Sequence, residues 1–236
     1  MLKKYLDFAP NELKTFLFTG FVLSLILFFF KWRNTDFDLF IGLNWFILTL
    51  LIVYFLTAIA RLLQKIVAHK KGYIATFKNS WKVTTITLGL SFFSFGFLPL
   101  LAPGRMELEP VERLRLGHNQ QGIRWKDMSS VSLVAISTYV VFVVILKLLV
   151  ISTEGIVFKH VLLISLLLAI FSAIPAPNYD GINVFANSRP IYLFMFAFII
   201  IYAAMIWFTN MFILIIPLLA AIAITGFFLV KMDGQM

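Results

Sequence analysis

The sequence predicts an all-α polytopic membrane protein with six or seven transmembrane helices, in a single membrane domain that covers residues 1–236. Hydrophobic residues make up 61% of the chain and charged residues only 13%, whereas a soluble domain has about 45–50% and about 25%. Long apolar segments recur along the chain, and a helix that crosses the bilayer needs about 20 apolar residues. These observations exclude a soluble or an intrinsically disordered protein, and the lack of cysteine excludes disulfides and thiolate metal ligands.

The apolar segments predict the positions of the helices. The first follows Lys3 and Lys4 as a signal sequence would, but polar residues intervene and no small-residue cleavage site follows, so a retained anchor is expected. The last apolar stretch is too long for one helix, and Asn210 and Pro217 interrupt it, which predicts a tight turn near residues 209–210. The predicted spans are residues 15–31, 37–60, 83–102, 130–151, 156–174, 190–208 and 211–230.

Two polar regions separate these spans. Residues 61–82 form a predicted basic loop with Lys and Arg but no Asp or Glu, and the positive-inside rule places such a loop in the cytoplasm. Residues 103–128 form a predicted polar loop with mixed charges and turn residues, in which short strands or a β-hairpin are plausible. This second loop lies on the same side as the first if residues 83–102 are re-entrant, and on the opposite side if they span. The net charge of +9 reflects such loops rather than nucleic-acid binding.

Ionisable groups at membrane depth are the candidate functional residues. Asn44 can bridge neighbouring helices, and Lys147 is close enough to a helix end to reach the interface. Asp180 is the stronger candidate, because it lies in the predicted Pro/Asp-Gly loop 175–189, where two prolines break an apolar helix. The three histidines have no zinc-binding spacing and are expected at surfaces or interfaces; they are His69, His118 and His160.

Two stretches resemble motifs of the site-2 protease family, which are intramembrane zinc metalloproteases. The stretch 171–185 is similar to the motif F-N-L-L-P-x-P-P-L-D-G that carries the third zinc ligand, with Asp180 at the ligand position. It matches at Phe171, Pro175, Pro177, Asp180 and Gly181, and departs from the motif at Ser172, Asn178 and Tyr179. Residues 184–187 also resemble the ending V-F-x-W-N of archaeal members.

The second stretch resembles the archaeal zinc helix H-E-x-x-H-K-x-V-A, the following G-Y-x-A-x-F and a later A-P-G. Matching residues occur in order and at compatible spacing: Lys65, Val67, Ala68, Gly72, Tyr73, Ala75, Phe77, Ala102, Pro103 and Gly104. This register puts Ala60 and Gln64 at the positions of the two histidine ligands and Arg61 at the position of the catalytic glutamate. A third family element, A-G-P-x-x-N, would fall near residues 134–139, but its Gly, Pro and Asn are absent there.

The resemblance therefore implies a site-2-protease-like core with a degenerate zinc motif. A catalytic zinc needs three protein ligands and an open position, and only Asp180 is retained. Arg61 cannot act as a base, because its guanidinium does not deprotonate in proteins. We expect a pseudoprotease without metal or cofactor. If the fold is kept, Arg61 and Asp180 can form a bidentate ion pair where the zinc would be; the alternative is that Arg61 reaches to the cytoplasmic surface.

Three functions follow as alternatives. The first is a catalytically inactive scaffold, accessory subunit or helix-binding regulator, whose partners are the lipid bilayer and other membrane-protein subunits or client transmembrane helices. The second is an active intramembrane metalloprotease with unusual ligands, in which His69 or His118 joins Asp180. The third is a small transporter or channel. A multi-pass protein in the plasma membrane of a prokaryote is the expected localisation.

Overall fold

The computed structural model describes residues 10–32, 39–110, 123–153, 155–206 and 215–233, and these residues are mostly helical with one small sheet of two strands. Eight helices and two strands follow one another in the described part of the chain. They are α1 (Pro10–Trp32), α2 (Leu39–Lys70), β1 (Tyr73–Lys78), α3 (Trp81–Phe93), β2 (Arg105–Pro110), α4 (Trp125–Thr153), α5 (Ile156–Ala173), α6 (Gly181–Asn187), α7 (Arg189–Met205) and α8 (Ile215–Asp233). The all-α prediction is confirmed apart from the sheet.

Four of these helices are long and apolar enough to cross a membrane, which confirms the prediction of a multi-pass integral membrane protein. The candidate spans are Asn11–Phe30, Gly42–Lys70, Trp125–Thr153 and Ile156–Ala173. Helix α2 is the longest, at 32 residues, because no proline or glycine interrupts residues 43–71. The apolar helices Arg189–Met205 and Ile216–Gly226 are shorter, and the turn predicted at residues 209–210 lies outside the described residues.

The segment 83–102 is not a single transmembrane helix, so that prediction was wrong. Helix α3 has only 13 residues and ends at Phe93. The chain then reverses in a turn in which Phe95 and Gly96 have φ angles of 50° and 73°. Gly96 has no alternative there, because a side chain at this position would overlap the backbone of Phe29. The apolar pattern predicted one continuous element because hydropathy does not detect this turn.

The two polar regions pair with each other in an antiparallel sheet. Strand β1 pairs with β2 in a register that sets Lys78 opposite Arg105 and Tyr73 opposite Pro110. The predicted basic loop 61–82 is therefore helix as far as Lys70 and strand from Tyr73. The strand predicted within 103–128 is present as β2, but it pairs with β1 rather than with a second strand of the same region. Residues 111–122 of that region lie outside the described residues.

Two polar side chains that were expected at the membrane interface are buried between helices, so these predictions were also wrong. His160 is 7% exposed, its Nε2 lies 2.9 Å from Thr49 Oγ1, and its ring packs edge-on against Trp45. Lys147 is 6% exposed, and its Nζ donates a hydrogen bond of 2.6 Å to the Ile206 carbonyl. Asn44 is exposed. The apolar pattern cannot separate a face that contacts lipid from one that contacts another helix.

Helices α1, α2, α4 and α5 enclose the main apolar core. Its buried residues include Leu23, Leu56, Tyr139 and Leu168. A second cluster joins the sheet to these helices through Phe77 and the strand residues beside it. The candidate site lies where the two clusters meet, because Ala60 belongs to the first and Phe77 to the second.

Candidate functional site

Asp180 lies at the start of α6, in a turn set by residues on both sides. Helix α5 ends at Ala173, two residues before Pro175, which cannot continue a helix. Asn178 has a φ of 75°, and this left-handed conformation is one that asparagine tolerates better than most residues. Gly181 then packs directly on the Ala173 carbonyl, where no side chain fits. This local geometry turns Asp180 into the protein, where it is fully buried.

Arg61 contacts Asp180 directly. Arg61 Nη1 lies 2.9 Å from Asp180 Oδ2, and both side chains are fully buried. The same nitrogen donates a hydrogen bond of 2.7 Å to Gln64 Oε1, one turn further along α2. The contact is made through one guanidinium nitrogen, so it is not the bidentate pair expected from the sequence. Arg61 does not reach to the surface, and that alternative is excluded for the described fold.

The second terminal nitrogen of Arg61 binds the backbone that precedes β2. Nη2 donates to the carbonyls of Pro103 and Gly104, at 2.8 Å and 2.9 Å. The guanidinium also lies over the Phe77 ring, 5.0 Å from its centroid, an arrangement in which the ring face attracts the cation. Arg61 thus connects three segments of the chain: helix α2, the turn at Asp180 and the backbone at Pro103 that leads into β2.

Gln64 completes this network. Its Nε2 donates to the Val131 carbonyl of α4 at 3.1 Å and to Asp180 Oδ1 at 3.3 Å. Arg61 and Gln64 therefore donate to different oxygens of Asp180. Ala60 lies one turn before Gln64 on α2 and is fully buried in the apolar core. The four residues singled out from the sequence are thus brought together at one place.

The residues present do not suit a zinc ion. Zinc takes His, Cys or carboxylate ligands in proteins, and here one carboxylate is accompanied by an amide, a methyl group and a guanidinium. The cationic Arg61 lies at hydrogen-bonding distance from the carboxylate and repels a second cation there. Among the described residues no three His, Cys, Asp or Glu side chains are close enough to hold one metal ion. His118 lies outside the described residues.

The space beside the guanidinium is small. A cavity of about 10 Å³ lies between Arg61, Phe77, Pro103 and helix α1, and such a volume is about that of one water molecule. Thr57 and Thr19 also line it. Within the described part of the chain, Arg61 Nε has no hydrogen-bond partner. The geometry at this place therefore suits a closed polar network that holds helices together.

Further polar contacts that sequence reasoning missed support the site. Glu12 of α1 accepts a hydrogen bond of 2.9 Å from Lys65 Nζ and another of 2.9 Å from the Phe77 backbone N–H, and this ion pair is buried. Asn183 Nδ2 donates to Ser132 Oγ at 2.8 Å and fixes α6 to α4. No local sequence pattern predicts these pairs. A glutamate in a largely apolar helix such as α1, however, indicates that its carboxylate has a buried partner.

No protein-family model matches the chain, and no curated protein or solved structure matches it either. The functional conclusion therefore depends on the contacts of Arg61, Gln64 and Asp180 and on the helices that present them.

Proposed function

We propose that this chain is a catalytically inactive, site-2-protease-like membrane protein that serves as a scaffold, an accessory subunit or a helix-binding regulator in a membrane complex. The observation that carries the proposal is the buried contact between Arg61 and Asp180. In the register of the family resemblance, this contact occupies the place of the catalytic zinc and its base.

The chemistry of these residues supports the absence of proteolysis. Hydrolysis by a zinc enzyme requires a metal-bound water and a group that takes its proton. Arg61 is permanently protonated, and its Nη atoms donate to four acceptors. Asp180 accepts hydrogen bonds from Arg61 and Gln64, so its carboxylate is already engaged. Neither residue is suited to activate water, and each stabilises the other instead.

A scaffold role is supported by the apolar faces of the candidate spans. Helix α2 exposes large apolar side chains at every fourth position, which places them on one face of the helix. They are Leu43, Ile47, Leu51 and Phe55. Helix α4 has a similar exposed face with Val141, Ile145 and Leu148. Such faces offer van der Waals contact to lipid and to transmembrane helices of partner subunits.

We further propose six transmembrane helices around a site-2-protease-like core, namely the four candidate spans together with α7 and α8. In this arrangement the basic stretch 61–82 faces the cytoplasm of a prokaryotic cell and the protein lies in its plasma membrane. The more exposed lysines of that stretch, Lys71 and Lys78, support this orientation, whereas Arg61 and Lys65 are buried in ion pairs.

The test is to restore the family's zinc ligands. The triple variant Ala60→His, Arg61→Glu, Gln64→His retains Asp180 and supplies the missing His-Glu-His set. We expect the purified triple variant to bind one zinc ion per chain, and the same variant with Asp180→Asn to bind much less. Wild-type protein should bind none, as measured by elemental analysis after dialysis against zinc. Helix content and thermal unfolding, followed by circular dichroism, show whether each variant is folded.

The outcomes separate the alternatives. Stoichiometric zinc in the wild-type protein, together with cleavage of a transmembrane substrate, would establish an active metalloprotease and overturn the proposal. A folded triple variant that binds no zinc would show that the register is wrong. For the scaffold role, purification in mild detergent should yield a partner subunit in a fixed ratio, whereas a monomer that conducts ions or solutes in liposomes would favour transport.

A further inference from the structure

We infer that residues 79–104 form a re-entrant membrane hairpin, which enters the lipid bilayer and returns to the same side, with the phenylalanines at its tip in contact with lipid acyl chains. The first support is the sheet that closes the hairpin. Lys78 and Arg105 are paired residues of β1 and β2, so the chain leaves and returns at one place. Both positions carry charges, whereas residues 83–104 contain none.

Helix α3 extends along a candidate transmembrane helix. Its first residue, Trp81, stacks on Phe18 of α1 with ring centroids 4.3 Å apart, and Phe92 contacts Phe29 near the other end of α1 at 5.7 Å. Thus α3 is parallel to α1 over most of the apolar stretch Asn11–Phe30. Its 13 residues extend about 20 Å at 1.5 Å per residue, compared with about 30 Å for the hydrocarbon core.

The tip of the hairpin exposes aromatic rings in several directions. The exposed fractions are 59% for Phe92, 81% for Phe93, 86% for Phe95 and 66% for Phe97. Successive helical residues point about 100° apart, so Phe92 and Phe93 face different sides, and the rings beyond the turn add further directions. A partner helix would cover one face, whereas fluid acyl chains surround such a tip on all sides. Water is an unfavourable environment for the tip, because rings of this size are costly to expose to it.

The returning chain is non-helical, and several of its backbone groups form hydrogen bonds within the protein. Ser91 Oγ donates a hydrogen bond of 2.9 Å to the Leu98 carbonyl and accepts one of 3.2 Å from the Leu100 backbone N–H. Ala102 O accepts from Asn79 Nδ2 at 3.2 Å. The next two carbonyls accept from Arg61, and residues 99 and 103 are prolines without an N–H. Irregular backbone at membrane depth is tolerated where it is buried in protein, and residues 101–104 are buried.

The lack of native cysteine permits a test with single-cysteine variants. Ile74 and Glu109 are exposed partners in the register of the sheet. We expect Ile74→Cys and Glu109→Cys to react with a membrane-impermeant maleimide in the same preparation of sealed vesicles, either right-side-out or inside-out. Labelling of the two variants in opposite preparations would show that residues 79–104 cross the membrane, and it would overturn the inference.

The surroundings of the tip are tested with a fluorescent label. Phe93→Cys and Phe95→Cys, each labelled with bimane, are reconstituted in phosphatidylcholine and phosphatidylglycerol vesicles at low protein density. We expect nitroxide-labelled lipid to quench both labels strongly and aqueous iodide to leave them unchanged, and we expect the reverse for bimane at Glu109→Cys. Quenching of the tip labels by iodide would mean that they are in water. Insensitivity to both quenchers would mean that protein, such as a second copy of the chain, covers the tip. Either result overturns the inference.

Discussion

The α-carbon of Gly181 lies against the backbone carbonyl of Ala173, so closely that a methyl group on Gly181 would overlap this carbonyl and its neighbour at Ile174. This contact joins the end of α5 to the start of α6. Because Asp180 is the residue immediately before Gly181, the contact also fixes the depth at which the carboxylate meets Arg61. A small residue thus determines the geometry of the charged one.

Gly181→Ala is therefore expected to lower the free energy of unfolding. The added methyl group meets backbone rather than a flexible side chain, and overpacking of this kind costs about 1–3 kcal/mol. The control is Gly89→Ala in α3, where a methyl group meets nothing within 4 Å and should be neutral or stabilising by about 0.5–1 kcal/mol. Thermal unfolding in detergent measures both, and equal midpoints for the two variants would contradict the close packing at Gly181.

Asp180→Asn should be strongly destabilising, because it leaves the Arg61 charge buried without a counter-charge. Removing one partner of a buried ion pair costs about 3–5 kcal/mol. Glu107→Gln is the matched control, since Glu107 pairs with Lys78 in a partly exposed contact that is worth at most about 1 kcal/mol. Denaturation in detergent should give a clearly lower free energy of unfolding for Asp180→Asn than for Glu107→Gln. A loss for Asp180→Asn no larger than for Glu107→Gln would show that the buried pair is not needed for stability.

Arg61→Lys should also be destabilising, although the charge is retained. The two Nη atoms of Arg61 reach acceptors on both sides, at Asp180 and at Pro103, and a single ammonium group cannot serve both. Each buried acceptor left without a donor costs about 1–3 kcal/mol. The reverse exchange at the surface, Lys78→Arg, is the control and should change stability by less than about 0.5 kcal/mol. If Arg61→Lys unfolds at the wild-type temperature, charge alone accounts for the role of Arg61.

Glu12→Gln should loosen the first helix from the sheet. The substitution removes the counter-charge of Lys65 and weakens the hydrogen bond from the Phe77 N–H. We expect faster hydrogen exchange at the Phe77 amide and a stability loss of about 3 kcal/mol. Glu109→Gln, on the exposed end of β2, should leave this exchange rate at its wild-type value. Unchanged protection in Glu12→Gln would mean that the strand pairing alone holds Phe77.

The sequence predicted the parts of this molecule that depend on local pattern. Long uninterrupted apolar stretches identified the four candidate spans, because a helix in lipid needs only length and apolarity. The resemblance to the site-2 protease motifs implied that Arg61, Gln64 and Asp180 would lie together, although Asp180 is more than a hundred residues from the other two along the chain. The order and spacing of the residues that carry this resemblance led to that prediction.

The missed features depend on packing partners that no local pattern contains. Lys147 was expected to reach the interface, but its Nζ binds the Ile206 carbonyl of a distant segment. The strand β1 could have been found, because Ala75 and Phe77 alternate with exposed Ile74 and Lys78. The lysines of residues 61–82 suggested only a basic loop. The turn after Phe93 depends on how Gly96 fits against α1, which apolarity does not encode.

The sharing of one guanidinium among Gln64, Asp180, Pro103 and Gly104 also limits how this protein can evolve. A mutation that replaces Arg61 deprives four acceptors of their donor at once, so a lineage that acquired histidines and a glutamate at these positions would first pass through an intermediate with a buried, unbalanced carboxylate. Selection against unstable intermediates then favours retention of the arginine. Replacement of this network by another set of polar residues therefore requires several substitutions in the same step.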